Sequence, residues 1–178
     1  PLKMKPHGSI TPEQAASSAA ALARRIAADQ SLIEIQRKRA ALPVDEFKPA
    51  ILEAVEHSQV VLVAGATGCG KTTQVPQYLI DDAWARGKGA AIMCTQPRRI
   101  SAVTVSERVA NERGEQIGAG SVGYQIRLET KCSAECALMF CTNGVLLRRL
   151  TSPGADKMLE SLSHIVIDEL HERDLFAD

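Results

Sequence analysis

The sequence predicts an α/β domain: a parallel sheet with helices on both faces, preceded by an N-terminal helix. Two observations lead there. Short apolar runs recur at Gln59–Ala64, Ala90–Thr95, Ala137–Thr142 and Leu162–Asp168, the pattern of strands buried on both faces. Between them lie stretches of helical period, and strands that alternate with helices build a parallel sheet covered on both sides.

Taken in order, residues 1–10 hold two prolines and a glycine and are expected to be loosely ordered. Thr11-Pro12-Glu13-Gln14 starts a helix: Thr11 caps the free amides, Pro12 takes the first helical position and Gln14 bonds back. The Ala-rich run that follows reads as one helix to about Ala40, with Leu22, Ile26 and Ile33 near one face. Ala41-Leu42-Pro43-Val44 breaks it, and a second helix begins near Pro49. Gln59–Ala64 (QVVLVA) is then a strand, and after a Gly-rich loop a helix runs from about Lys71 to Trp84. Gly87-Lys88-Gly89 turns the chain into the strand Ala90–Thr95, and Ser101–Arg113 is helical. Val122–Leu128 and Ala137–Thr142 are strands, Gly144–Leu150 a short helix, and Leu162–Asp168 a strand that ends in charge. In such sheets ligands bind beyond the carboxyl ends of the strands, where every motif below lies.

The composition, 45% hydrophobic and 24% charged, supports a packed core and argues against long disorder. No apolar stretch is long enough for a membrane span. Basic and acidic residues both total 21, so any polyanion binding must come from a local patch rather than from net charge. The five cysteines, Cys69, Cys94, Cys132, Cys136 and Cys141, read as reduced thiols in a domain of this size with a sizeable core, and Cys132 and Cys136 find no Cys/His pair with finger-like spacing to complete a zinc set. The first 40 residues are rich in Ala, Ser and Arg, which an ordinary helix explains and an organellar transit peptide would also explain.

Gly65-Ala66-Thr67-Gly68-Cys69-Gly70-Lys71-Thr72 matches GxxxxGK[ST] in full, between an expected strand and an expected helix. The glycines let successive amides turn inward around phosphates, and the helix N-terminus adds partial positive charge. Lys71 supplies a mobile ammonium for the β and γ phosphates, Thr72 a hydroxyl for Mg²⁺, and Thr73 a further phosphate contact. The motif says nucleoside triphosphate with Mg²⁺ and leaves the reaction open. Asp168-Glu169-Leu170-His171 follows the last apolar strand. Asp168 is placed to hold the metal and Glu169 to polarise an attacking water. His171 reads as a relay between nucleotide and nucleic acid or, alternatively, as a surface histidine, and Glu172 and Arg173 as structural ion-pair residues.

GATGCGKTTQVPQ (65–77), TQPRRISA (95–102), CTNGVLLRRL (141–150) and DELHERD (168–174) resemble, in order and spacing, the DEAH/RHA (DExH-box) RNA helicases of superfamily 2, most nearly the branch around RNA helicase A. The resemblance covers about residues 43–178, and residues 1–42 form an N-terminal extension, mostly helical. It implies that 43–178 is the first RecA-like, ATP-binding P-loop NTPase domain, truncated at its C-terminal end. The second RecA-like lobe, its arginine fingers and the C-terminal domains would then lie outside this chain. Fingers of that kind contribute about 10³–10⁵ in rate, so the chain alone is expected to bind nucleotide weakly and not to unwind.

The resemblance further implies that ATP, or another NTP, binds with Mg²⁺, and that single-stranded RNA is gripped through its backbone. By it Arg108 stacks on the nucleobase, Arg98 and Thr142 lie near RNA phosphates, and Arg99 contacts RNA or pairs within the fold. Location would be cytoplasmic or nuclear, with an organelle left open. Ala66, Cys69 and Asn143 depart from the commoner family residues without removing a group needed for hydrolysis. Two alternatives remain: a catalytically silent lobe acting as a scaffold in a ribonucleoprotein, and a DNA-directed translocase.

Overall fold

The computed structural model describes residues 10–172, apart from the side chain of His171. The expectations for residues 1–9, for Arg173 and for that imidazole lie outside the described residues. Five strands form one sheet in the order β3-β2-β4-β1-β5: β1 Ile92–Gln96, β2 Val122–Ile126, β3 Glu129–Lys131, β4 Leu138–Thr142 and β5 His164–Ile167. β1, β2, β4 and β5 run parallel, and the short β3 returns antiparallel along β2. The helices are α1 Pro12–Ala28, α2 Gln30–Ala40, α3 Lys48–His57, α4 Lys71–Ala85, α5 Arg99–Glu112, α6 Asn143–Leu150 and α7 Ala155–Ser161.

Alternation along the strands assigns each face its helices. Ile92, Cys94, Leu138 and Phe140 point into one core with Leu79, Ile80 and Trp84 of α4 and Val109 of α5. Met93, Met139 and Cys141 point the other way, against Leu146 of α6 and Met158 of α7. Each large apolar side chain buried this way contributes about 1.5–3 kcal/mol. Ala15 and Leu22 of α1 belong to the first core, and Arg25 of α1 pairs with the nearly buried Glu115 at 2.6 Å, so the N-terminal helices pack on the sheet domain.

The helix starts at Thr11 with a capping box, Thr11 and Gln14 bonding each other's backbone amide. It is not continuous to Ala40. Asp29 is extended, ends α1, and caps α2 by accepting from the Ser31 amide at 2.8 Å. Helix propensity gave no warning, because a single capping aspartate outweighs the Ala-rich average. Also unforeseen were β3, α7 and the 3₁₀ turn Pro43–Phe47.

The largest correction concerns Gln59–Ala64. It belongs to no strand, and among the described residues it makes no sheet ladder. Val60 is 87% and Leu62 80% exposed, the reverse of a strand buried on both faces. An apolar run becomes a strand only when neighbours accept and donate along its backbone. This one lies across a groove from β5, and residues 61–65 and 163–168 line that groove together.

Candidate functional site

The loop Gly65–Gly70 delivers the chain into α4. Gly68 and Gly70 adopt φ of +81° and +102°, left-handed values that a side chain would strain. A Cβ on Gly70 would also stand 3.0 Å from both Leu42 and Val44. Those two residues pack against the end of the loop, Leu42 also lining the cavity it borders, and the Val44 amide donates to the Cys69 carbonyl at 3.1 Å. The Lys71 ammonium is folded over the loop, donating to the carbonyls of Gly65 (2.6 Å) and Ala66 (2.9 Å).

The decisive question is whether this loop and the acidic pair share one space. They do. Gly65, Thr67, Gly68, Gly70, Lys71, Thr72, Thr73, Arg108, Asp168 and Glu169 all line a single cavity of about 450 Å³. Asp168 leaves β5 at its carboxyl end, where the buried Gln96 of β1 donates to its carboxylate at 2.7 Å. Glu169 holds φ at +53°, a left-handed conformation costing a non-glycine residue about 1–3 kcal/mol, and such strain clusters at functional positions. The hydroxyl of Thr72 and the carboxylate of Asp168 are an all-oxygen donor set, which fits a hard divalent cation.

Other expected residues sit differently. Thr73 is buried, its hydroxyl accepting from Gln74 at 2.8 Å and lying 3.4 Å from the Gly70 carbonyl. Ala66 and Cys69 are not among the cavity-lining residues, and the Cys69 sulfur lies 3.5 Å from Lys71 Nζ. The backbone of His171 lies in the 3₁₀ turn Leu170–Glu172.

A second, larger groove opens beyond the carboxyl ends of β1 and β4. Arg99, Arg127, Arg148, Arg149 and Lys157 line it with Thr142, and among the described residues no carboxylate does. A chain with no net charge thus presents a face of one sign. Arg98 is outside this groove, exposed and 3.4 Å from Glu172; Arg99 is inside it, 3.4 Å from the Arg127 carbonyl. Arg149 is half committed to the fold, bonded to Gln125, and burial lowers its affinity for its proton. Sequence reasoning missed Arg127 and Lys157, which gather only in three dimensions, and Gln96, which stands inside the TQPRRISA segment.

The sequence profile of the DEAD/DEAH box helicases matches residues 46–174. The chain belongs to that family. It is 48% identical over 170 residues, 95% of this chain, to the DExH-box ATP-dependent RNA helicase DExH6 of Arabidopsis thaliana. Over 148 residues, 82% of this chain, it is 50% identical to the putative ATP-dependent RNA helicase DHX57 of Homo sapiens. Over 154 residues, 84% of this chain, it is 48% identical to the ATP-dependent DNA/RNA helicase DHX36 of Mus musculus. The chain spans only 13%, 10% and 15% of the length of these three relatives. Among the described residues, no helix is long and apolar enough to cross a membrane.

Proposed function

We propose that the chain is the nucleotide-binding lobe of an ATP-dependent RNA helicase, coupling NTP hydrolysis to RNA unwinding or ribonucleoprotein remodelling. The observation that carries this reading is the shared cavity of Lys71, Thr72, Asp168 and Glu169, together with a second groove whose charged lining residues, among those described, are all cations. The loop amides and the start of α4 bind the triphosphate, and Lys71 exchanges its loop carbonyls for β and γ phosphate oxygens. Thr72 and Asp168 hold Mg²⁺, which when bound neutralises charge developing on the phosphates. Glu169 accepts a proton from the attacking water. Arg108 stacks on the nucleobase, which suits any NTP because every base has a π-face. Arg98, Arg99, Arg127, Thr142 and Lys157 contact the RNA backbone without reading sequence, and His171 relays between the two sites.

Intact Lys71, Thr72, Asp168 and Glu169 argue against a silent scaffold. DNA is kept as a second substrate by one observation: a relative sharing 48% of aligned residues is named a DNA/RNA helicase. Competition of labelled RNA by DNA separates the two. The main test is RNA-stimulated ATP turnover by the full-length protein. Glu169→Gln should lower it about 10²–10⁴-fold. Turnover unchanged by that substitution, or none in the wild type, refutes the enzyme reading.

A further inference from the structure

Behind the cavity wall one buried carboxylate ties its two ends together. Glu112, near the end of α5, has a side chain 9% exposed. Its Oε2 accepts from the side-chain amides of Gln74 (2.9 Å) and Gln77 (2.8 Å), both on α4. The same Gln74 amide donates to the Thr73 hydroxyl at 2.8 Å, in the first turn after the phosphate loop. The other oxygen, Oε1, accepts from Arg108 Nε at 3.1 Å. Thr73 and Arg108 both line the cavity, and Glu112 does not. From the far side Arg39 of α2 donates to Gln74 Oε1 at 2.8 Å and approaches Glu112 Oε2 at 3.6 Å.

An Arg–Glu pair four residues apart on a helix surface is worth little, because both partners move in water. This pair is unlike that. Arg108 is 63% exposed, but its partner is clamped by two amide donors from a different helix. The clamp fixes the carboxylate, and the carboxylate in turn restricts where the guanidinium points.

We propose that Glu112 is a positioning residue for nucleotide recognition: it holds Arg108 at the base end of the cavity in a fixed frame relative to the phosphate-loop helix. The proposal rests on the nucleotide-binding reading above and deepens it. The phosphate end and the base end of a nucleoside triphosphate would be gripped from two different helices, α4 and α5, whose shared apolar core fixes their backbones but not the direction of the exposed Arg108 side chain. Linking them through Gln74, Gln77 and Glu112 sets the distance between the two grips before nucleotide arrives, which removes an ordering cost from binding.

Glu112→Gln separates the two sides of the hub. An amide oxygen can still accept from Gln74 and Gln77, but its NH₂ then faces Arg108 Nε, donor against donor. The substitution therefore releases Arg108 while keeping the α4–α5 clamp. The experiment uses the full-length protein and titrates Mg·ATP and, separately, inorganic tripolyphosphate with Mg²⁺ into wild type, Glu112→Gln, Arg108→Ala and the double variant. Both single variants should weaken ATP binding by roughly three- to tenfold, the range of a lost cation–π contact. The double variant should be no weaker than Arg108→Ala, and tripolyphosphate affinity should stay within about twofold throughout.

Unchanged ATP affinity in Glu112→Gln overturns the proposal, as does equal loss of ATP and tripolyphosphate, which would mark a general prop of the phosphate loop. Additive losses in the double variant overturn it too. A wild type that binds tripolyphosphate but gains nothing from the nucleoside refutes the role of Arg108, and with it the proposal. A wild type that binds neither probe refutes the nucleotide site itself. Thermal melting of each variant separates these results from unfolding.

Discussion

Two runs of similar sequence meet opposite fates in this molecule. Ala90–Thr95 and Gln59–Ala64 are both short, apolar and free of charge. In the first, Ile92, Met93 and Cys94 are each 0% exposed, because β1 is bonded to β4 on one side and β5 on the other. In the second, Val60 and Leu62 face water at 87% and 80%, although the segment leads directly into the phosphate loop. The difference lies in the neighbours rather than in the runs. An apolar segment states a preference for burial, and a partner's backbone groups decide whether that preference is met. The phosphate loop keeps its shape even so, because Leu42, Val44 and the N-terminus of α4 hold it from the opposite side.

The sharpest way to break the comparison is amide hydrogen exchange on these 178 residues. Amides of β1 should exchange only on global opening, slower than unprotected amides by several orders of magnitude, whereas those of residues 60–63 should exchange nearly as in an unstructured peptide. Equal protection of the two runs would show that residues 59–64 are paired after all.

Side-chain truncation tests the same contrast at smaller amplitude. Phe140→Ala, in the centre of β4 at 0% exposure, should cost about 3–5 kcal/mol in denaturant unfolding. Leu62→Ala should stay within about 0.5 kcal/mol, as for other exposed positions. A cost at Leu62 approaching that at Phe140 would place Leu62 in a core.

How far the sequence could be read follows the same division. β1, β2, β4, β5 and the helices α4, α5 and α6 were legible because their burial is set by local period and by elements adjacent in the chain. The capping box at Thr11 was legible because all its atoms lie within four residues. Residues 59–64 misled because strand pairing is a property of distant backbone. The candidate site was legible where a motif concentrates it, in Gly65–Thr72 and in Asp168–Glu169. It was illegible where topology gathers it: Gln96 meets Asp168 across 72 residues, and Gln74 meets Glu112 across 38. The cations of the large groove come from three separate segments, α5's start, the β2–β3 turn and α6–α7, so no window of sequence displays their common sign.

The smallest effect expected is also a chemical map of the comparison. All five cysteines are free thiols, but their settings differ. Cys94 and Cys141 belong to β1 and β4 and are 0% exposed. Burial pushes the Cys141 thiol up to about 12, and burial with the nearby Asp168 charge pushes that of Cys94 up as well. A thiol whose pKa is raised in the folded protein stays protonated as pH climbs through its ordinary value near 8.5, and the thiolate is the form that reacts. Cys69, half-buried in the phosphate loop, has neither sheet neighbour. At mildly alkaline pH a maleimide should therefore label Cys69 well before Cys94 or Cys141, and labelling at the two strand positions should follow global unfolding. Mg·ATP should slow the reaction at Cys69 by no more than a fewfold, because its side chain is not among those lining the cavity. Mass-spectrometric site mapping reads both results, and early modification of Cys94 would mean that β1 is no better covered than the segment it is compared with.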